Sequence, residues 1–245
     1  MTMIGEMVPA FHGTTTSGEI DFPKDYYGTW IILFSYIGDY TPVCTTELMT
    51  FASMINEFKE LNTQLIGLSG DSLYTHIAWL RKIRELAWKD MKRIEVNFPL
   101  ISDGTYSIAK TYGMLRTSCE CNQLARSVYI VDPEGRLRTE LHYPSEMGRN
   151  IKELKRILQA LQKADQEHAL IPAQWTPQED VILEVPDTCT AACDRIEKVN
   201  RNTYCLDWFL SFKQSNCTMD EEHLEPEINP FPSAVAMKRK ADFHI

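Results

Sequence analysis

The run Thr29-Trp30-Ile31-Ile32-Leu33-Phe34 constrains this chain more than any other stretch. Its length and its β-branched and aromatic content read as a buried strand. Directly behind it, from residue 45 to about 60, Leu48, Phe51, Ala52, Ile55 and Phe58 recur at helical spacing. The same change of period then repeats. Residues 64–69 form a second buried strand, ended by Gly70-Asp71, and residues 76 to about 88 read as a helix with Ile77, Leu80, Ile83 and Ala87 on one side. Residues 98–101 are a short extended piece, and residues 107–112 a short helix ending at Gly113. Two strand-like runs, 127–131 and 136–142, flank the turn Asp132-Pro133-Glu134-Gly135 and predict a hairpin. An amphipathic helix from Ile151 to about His168 follows, with Ile151, Leu154, Ile157, Leu158 and Leu161 at the expected intervals. This order predicts an α/β layer fold with a central mixed sheet flanked by helices.

After about Leu170 the character changes. Pro172, Pro177, Pro186, Pro226, Pro230 and Pro232 are half of the chain's 12 prolines. Between them lie one predicted helix, about 190–201, and the aromatic stretch Tyr204-Cys205-Leu206-Asp207-Trp208-Phe209. The segment is too apolar for disorder and too rich in proline for a compact domain of its own. It reads as a C-terminal extension, an arm that packs on a partner subunit or back on its own core. The expected division is a domain over 1–168 and an arm over 169–245 that serves dimerisation.

Charge and hydropathy narrow the function. With 34 Asp+Glu against 25 Lys+Arg, the net charge of −9 argues against a general nucleic-acid binder, since little here would neutralise a run of phosphates. The cluster Lys238-Arg239-Lys240 reads as a solvated tail. No stretch approaches the roughly 18 continuous apolar residues of a membrane helix, and no signal peptide is visible. These features predict a cytoplasmic protein without membrane partners. Seven cysteines in that compartment read as free thiols, some of them redox-active.

The chemistry concentrates in Asp39-Tyr40-Thr41-Pro42-Val43-Cys44-Thr45-Thr46-Glu47-Leu48. A strand ends near Ser35, a loop follows, and a helix begins at about Cys44. A cysteine in the first helical turn faces unpaired backbone N–H groups and the positive end of the macrodipole, both of which favour the thiolate. Thr41, three residues earlier, can place a hydroxyl beside the sulfur. A thiolate so held can attack a peroxide oxygen and become a sulfenic acid. Read alone, a cysteine at a helix start is a small buried hydrophobe; its neighbours argue otherwise.

Thr41-x-x-Cys44 followed by Thr45-Thr46-Glu47, behind the strand that ends at Ser35, resembles the peroxidatic-cysteine motif of the peroxiredoxins. The form Thr-Pro-Val-Cys-Thr-Thr-Glu is similar to the one-cysteine branch and its long-armed relatives. Asp71-Ser72, His76 and Trp79 resemble the segment after that family's second strand, and Arg126, before Ser127–Val131, stands where the family carries its active-site arginine. Cys205-Leu206-Asp207-Trp208 resembles the C-terminal arm. The resemblance implies a thioredoxin-like fold and a thiol peroxidase, with Cys44 as nucleophile, Thr41 orienting the peroxide, Arg126 stabilising charge and Glu47 organising the arginine or the loop. It implies no metal, haem or flavin, a hydroperoxide as substrate, thioredoxin or a small thiol as donor, and a homodimer or a ring of dimers.

Three departures from that pattern stand out. Ile37 occupies the place of a proline, which loosens the loop or leaves an extra N–H donor near the sulfur, and Tyr36 occupies that of a histidine; the expectation is an activity weaker than that of typical members. Ser211 stands where long-armed relatives place a resolving cysteine. Cys205 and Cys217 flank it as candidate resolving thiols, Cys189 and Cys193 are further candidates, and an external thiol is the alternative. Cys119-Glu120-Cys121 with Cys189-x-x-x-Cys193 fits the usual zinc spacings poorly. A redox sensor or holdase of the same fold is the competing functional reading.

Overall fold

The computed structural model describes residues 2–115, 123–197 and 202–215. Its first strands, β1 (Phe11–Thr15) and β2 (Gly18–Phe22), form a hairpin that precedes the predicted strand β3 (Trp30–Ser35). There follow α1 (Pro42–Ser53), α2 (Ile55–Glu60), β4 (Thr63–Ser69) and α3 (Leu73–Glu85). A two-stranded ribbon of β5 (Ala87–Trp88) and β6 (Met91–Lys92) leads to β7 (Leu100–Ser102) and α4 (Ser107–Thr111). The hairpin of β8 (Arg126–Val131) and β9 (Leu137–Tyr143) and the helix α5 (Ile151–Glu167) come next. The C-terminal part holds β10 (Ala169–Leu170), β11 (Val181–Leu183), α6 (Cys189–Glu197), β12 (Thr203–Asp207) and β13 (Leu210–Lys213).

Seven strands make one mixed sheet in the order β2-β1-β7-β4-β3-β8-β9. β3 pairs in parallel with β4 and antiparallel with β8, so it lies inside the sheet with both neighbours supplied. Its side chains alternate between two apolar layers. Ile31 and Leu33 join Ile66, Leu68, Ile101, Tyr129 and Val131 in one. On the other, Phe34 stacks on Phe51 of α1 at 4.4 Å between ring centroids and meets Phe98 edge-on at 6.0 Å. Burial on both faces is why the strand's sequence is apolar without alternation. The sheet flanked by helices is the expected class.

Three local features differ from the sequence reading. The single helix expected over 45–60 begins at Pro42 and is broken at Met54, whose N–H is shared between the carbonyls of Thr50 and Phe51. Thr46, Thr50 and Ser53 each turn their hydroxyl back onto a carbonyl of the preceding turn, which bends a helix. α3 starts earlier, at an N-cap Ser72 that accepts from Thr75 N, and ends at Glu85, so Ala87 and Trp88 belong to a ribbon instead. Its buried side is His76, Trp79 and Ile83, while Ile77 is exposed. The ring of His76 can sit in the core because both of its nitrogens have polar partners.

Two compact units divide the chain at Leu158/Gln159, within α5. The seven-stranded sheet belongs to the first. The second holds an antiparallel sheet in the order β10-β11-β13-β12, in the region where the prolines suggested an arm without a compact fold. Cys205 and Ser211 are cross-strand partners in this smaller sheet. Among the described residues, no helix is long and apolar enough to cross a membrane.

Candidate active site

The loop after β3 delivers the chain into α1, and the sequence sets how that helix starts. Thr41 has extended backbone and occupies the N-cap, with Pro42 at the first helical position, where a missing N–H costs nothing. Thr45 N makes the first helical bond, to Thr41 O at 3.0 Å, so the amides of Val43 and Cys44 precede the helical ladder and point out of its N-terminus. Cys44 is therefore the third helical residue and is fully buried.

Arg126, the first residue of β8, crosses to the same place. Its Nη1 donates to Cys44 Sγ at 3.2 Å and to Glu47 Oε2 at 2.7 Å, and its Nε donates to Ser145 O at 3.0 Å. Cys44, Glu47 and Arg126, singled out from the sequence, are thus brought together. Thr41 is one helical turn from the cysteine, but its hydroxyl donates to Gly38 O at 2.8 Å rather than to the sulfur. A hydroxyl with its proton engaged keeps lone pairs that can accept from an incoming O–H.

Sequence reasoning missed Arg149. It donates to both Glu47 oxygens, Nε to Oε1 at 2.9 Å and Nη2 to Oε2 at 2.7 Å, and its backbone N–H donates to Oε1 at 2.8 Å. Nη1 reaches the carbonyls of Ser35 and Ser127 at 2.9 and 3.2 Å, tying β3 to β8. The guanidinium lies over the ring of Phe34, 5.1 Å from its centroid. The only sequence hint is weak: Arg149 falls just before α5, where the helix dipole mildly disfavours a cation.

Arg126, Arg149 and Glu47 are 1%, 6% and 3% exposed, so their charges interact with little screening. Burial pushes the Glu47 carboxyl up, but the Arg149 charge and hydrogen bonds, with Arg126 behind them, outweigh it and leave the group below its ordinary value. Two cations against one carboxylate leave a single positive charge beside the sulfur. Cys205 lies on β12 in the second unit, partly exposed, where it accepts from the Ser211 hydroxyl at 3.2 Å. Cys189 and Cys193 are exposed on α6. Cys217, Cys119 and Cys121 lie outside the described residues, as does the basic cluster near residue 240.

A second polar cluster under the loop also escaped the sequence reading. Tyr36, Asp39 and His76 are all buried and bonded to one another. In the sequence Tyr36 stands out only as a departure from a family pattern.

The AhpC/TSA family model matches residues 4–140. A peroxiredoxin of Methanosarcina mazei is 49% identical over 215 residues, which cover 87% of this chain and 98% of that protein. A peroxiredoxin of Aquifex aeolicus is 40% identical over 219 residues, 86% of this chain and 96% of that one. Among solved structures, a yeast mitochondrial 1-Cys peroxiredoxin, described with thiol resolution through the glutathione/thioredoxin systems, is similar at a TM-score of 0.74. It is 34% identical, over 88% of this chain and all of that one. Peroxiredoxin 6 of Arenicola marina is similar at a TM-score of 0.75, with 26% identity over 89% of this chain and all of that one.

Proposed function

Because the chain belongs to the AhpC/TSA family and is a thiol peroxidase of the peroxiredoxin type, we propose that Cys44 is its peroxidatic nucleophile, with Thr41, Arg126 and Glu47 as its helpers. The observation that carries this reading is the shared Arg126 Nη1, which touches the Cys44 sulfur and the Glu47 carboxylate at once. A Cys44 thiolate cancels the positive charge left over among Arg126, Arg149 and Glu47, so the buried set is neutral only when the sulfur is ionised.

In the reaction, the thiolate attacks one oxygen of a hydroperoxide. The S–O bond forms as the O–O bond breaks, and the electron pair leaves on the distal oxygen, which is protonated to water or an alcohol. Arg126 is placed to stabilise charge that develops on these oxygens, and the amides at the start of α1 and the Thr41 hydroxyl are available to the same atoms. The sulfenic acid then condenses with a donor thiol, releasing water and forming a disulfide that a second thiol reduces. An external donor such as thioredoxin or glutathione is supported by the similar yeast protein, whose description names those systems, and by Ser211 at the place of an arm cysteine.

The test is consumption of hydrogen peroxide and of an organic hydroperoxide by the purified protein, with dithiothreitol or thioredoxin as donor and a sulfenic-acid trap. Turnover with trapping at Cys44 is the expected result; no consumption above the donor's own rate sinks the peroxidase reading at this cysteine. A disulfide-linked product on a non-reducing gel, lost in Cys205→Ser, would instead make Cys205 the resolving thiol.

Arg126→Lys is expected to keep the charge and lose about tenfold in kcat/KM for peroxide. An ammonium cannot hold the fork that bonds Glu47 and the sulfur while Nε holds Ser145 O, and one charged hydrogen bond is worth about 1.5 kcal/mol. Stopped-flow oxidation rates compared with wild type check this.

A further inference from the structure

The turn from Tyr36 to Thr41 carries a conformation that its own sequence does not enforce. Ile37 does not lock φ as a proline would, Gly38 has no side chain to restrict it, and Tyr40 is held at φ 57°, a left-handed conformation that costs a bulky side chain about 1 kcal/mol or more. Such a residue, next to Thr41, persists only where the surroundings over-determine it. The surroundings are visible on its N-terminal side. Asp39 is 9% exposed and is bonded from three directions. Tyr36 Oη donates to Oδ1 at 3.0 Å, His76 Nδ1 donates to Oδ2 at 2.8 Å, and the Asp39 N–H donates to Asp71 Oδ2 at 2.9 Å.

The histidine is itself fixed. It is on the buried side of α3, and its Nε2 lies 3.3 Å from the carbonyl of Ile101 on β7. Nδ1 faces the Asp39 carboxylate and Nε2 the Ile101 carbonyl, so the ring is a strut between the sheet and the turn. Tyr36 is wedged against Trp79 of the same helix at 5.7 Å between centroids. Asp71 is in turn held by the Ser69 hydroxyl at 2.8 Å.

We propose that His76 is a positioning residue for peroxide capture: through Asp39 and Tyr36 it sets the turn that presents Thr41 and the first amides of α1. This rests on the peroxidase reading of Cys44. The strut bears on the peroxide side of the site and leaves the sulfur's own contacts to Arg126 and Glu47 untouched.

Two conservative variants separate this role from simple core filling. The amide nitrogen of Asn falls near Nδ1 of a histidine and that of Gln near Nε2, so His76→Asn keeps a donor toward Asp39, whereas His76→Gln keeps one toward Ile101. His76→Gln is expected to lower kcat/KM for peroxide about tenfold, with His76→Asn within about threefold of wild type, since one hydrogen bond to a charged group is at stake. Alkylation of Cys44 by iodoacetamide should keep its wild-type rate in both. Tyr36→Phe, which removes only the hydroxyl and keeps the packing, should lose peroxide reactivity in the same direction, and serves if His76→Gln does not fold.

Equal losses in Gln and Asn variants that follow their melting temperatures would overturn the proposal in favour of a core histidine. Parallel losses of alkylation and peroxide rates would overturn it too, because the sulfur rather than the turn would then be affected. An unchanged kcat/KM in Tyr36→Phe does the same. A wild-type protein that consumes no peroxide is a different result, which fails the reading of Cys44 before any variant is made.

Discussion

Cys44→Ser is expected to consume no peroxide beyond the rate of the donor thiol alone, while remaining folded. The serine hydroxyl presents an oxygen that is not ionised at neutral pH, and the single excess positive charge beside it is far too little to ionise it. No S–O bond can form, so no sulfenic acid exists for a donor to reduce. The fold should survive because Oγ can still accept from Arg126 Nη1, and the Glu47 bonds to Arg126 and Arg149 do not involve the sulfur. Circular dichroism and a melting curve, run beside the peroxide assay, distinguish lost chemistry from lost structure. Residual turnover in the variant would move the nucleophile to another thiol. Cys189, Cys193 and Cys205 are the described cysteines open to solvent, so their serine variants would be the next to assay.

The part of the site that sequence made legible is the part carried by continuous local pattern. An unbroken apolar strand, a Pro at the start of a helix and a Thr-x-x-Cys spacing all act within a few residues of each other, so β3, α1 and Cys44 could be placed without a structure. Arg126 was legible only through resemblance, because a cation at a strand start has nothing local to mark its partner. Arg149 and Asp39 show the limit. Their meaning lies in contacts 102 and 37 residues away in the chain, to Glu47 and to His76, and neither residue belongs to a periodic pattern. The misjudged face of α3 has the same origin. Hydrophobicity put Ile77 inside, whereas it is exposed and His76 is buried because Asp39 and the Ile101 carbonyl satisfy it. The start of the C-terminal sheet was missed for another reason: β10 and β11 have two and three residues, too short to show alternation, and prolines between them mimic a linker.

Glu47→Gln is expected to be the most destabilising conservative change in the site, by about 3–5 kcal/mol, because it leaves two buried guanidiniums without their shared anion. The amide keeps the shape of the side chain, but its NH2 group faces donors of Arg149 or Arg126 that need an acceptor. Peroxide reactivity should fall as well, since Arg126 loses the carboxylate that holds Nη1 beside the sulfur. Acid titration isolates the charge from the shape. The folded Glu47 carboxyl lies below its ordinary value of 4.5, so the unfolded chain takes up that proton first as pH falls. The stabilisation by Glu47 is complete above the unfolded value and is lost as pH drops through the lowered folded value. Asp21, Glu153 and Glu167 are shifted the same way by their own partners, so wild type alone gives a sum. Those groups cancel in the difference between wild type and Glu47→Gln. Urea unfolding across a pH series should therefore show the gap between the two proteins constant near neutrality and closing below about pH 4.5, with a slope approaching one proton. A gap that stays the same into acid would mean that the two arginines are not held by an ionised Glu47, and the charge balance invoked for the Cys44 thiolate would fail with it.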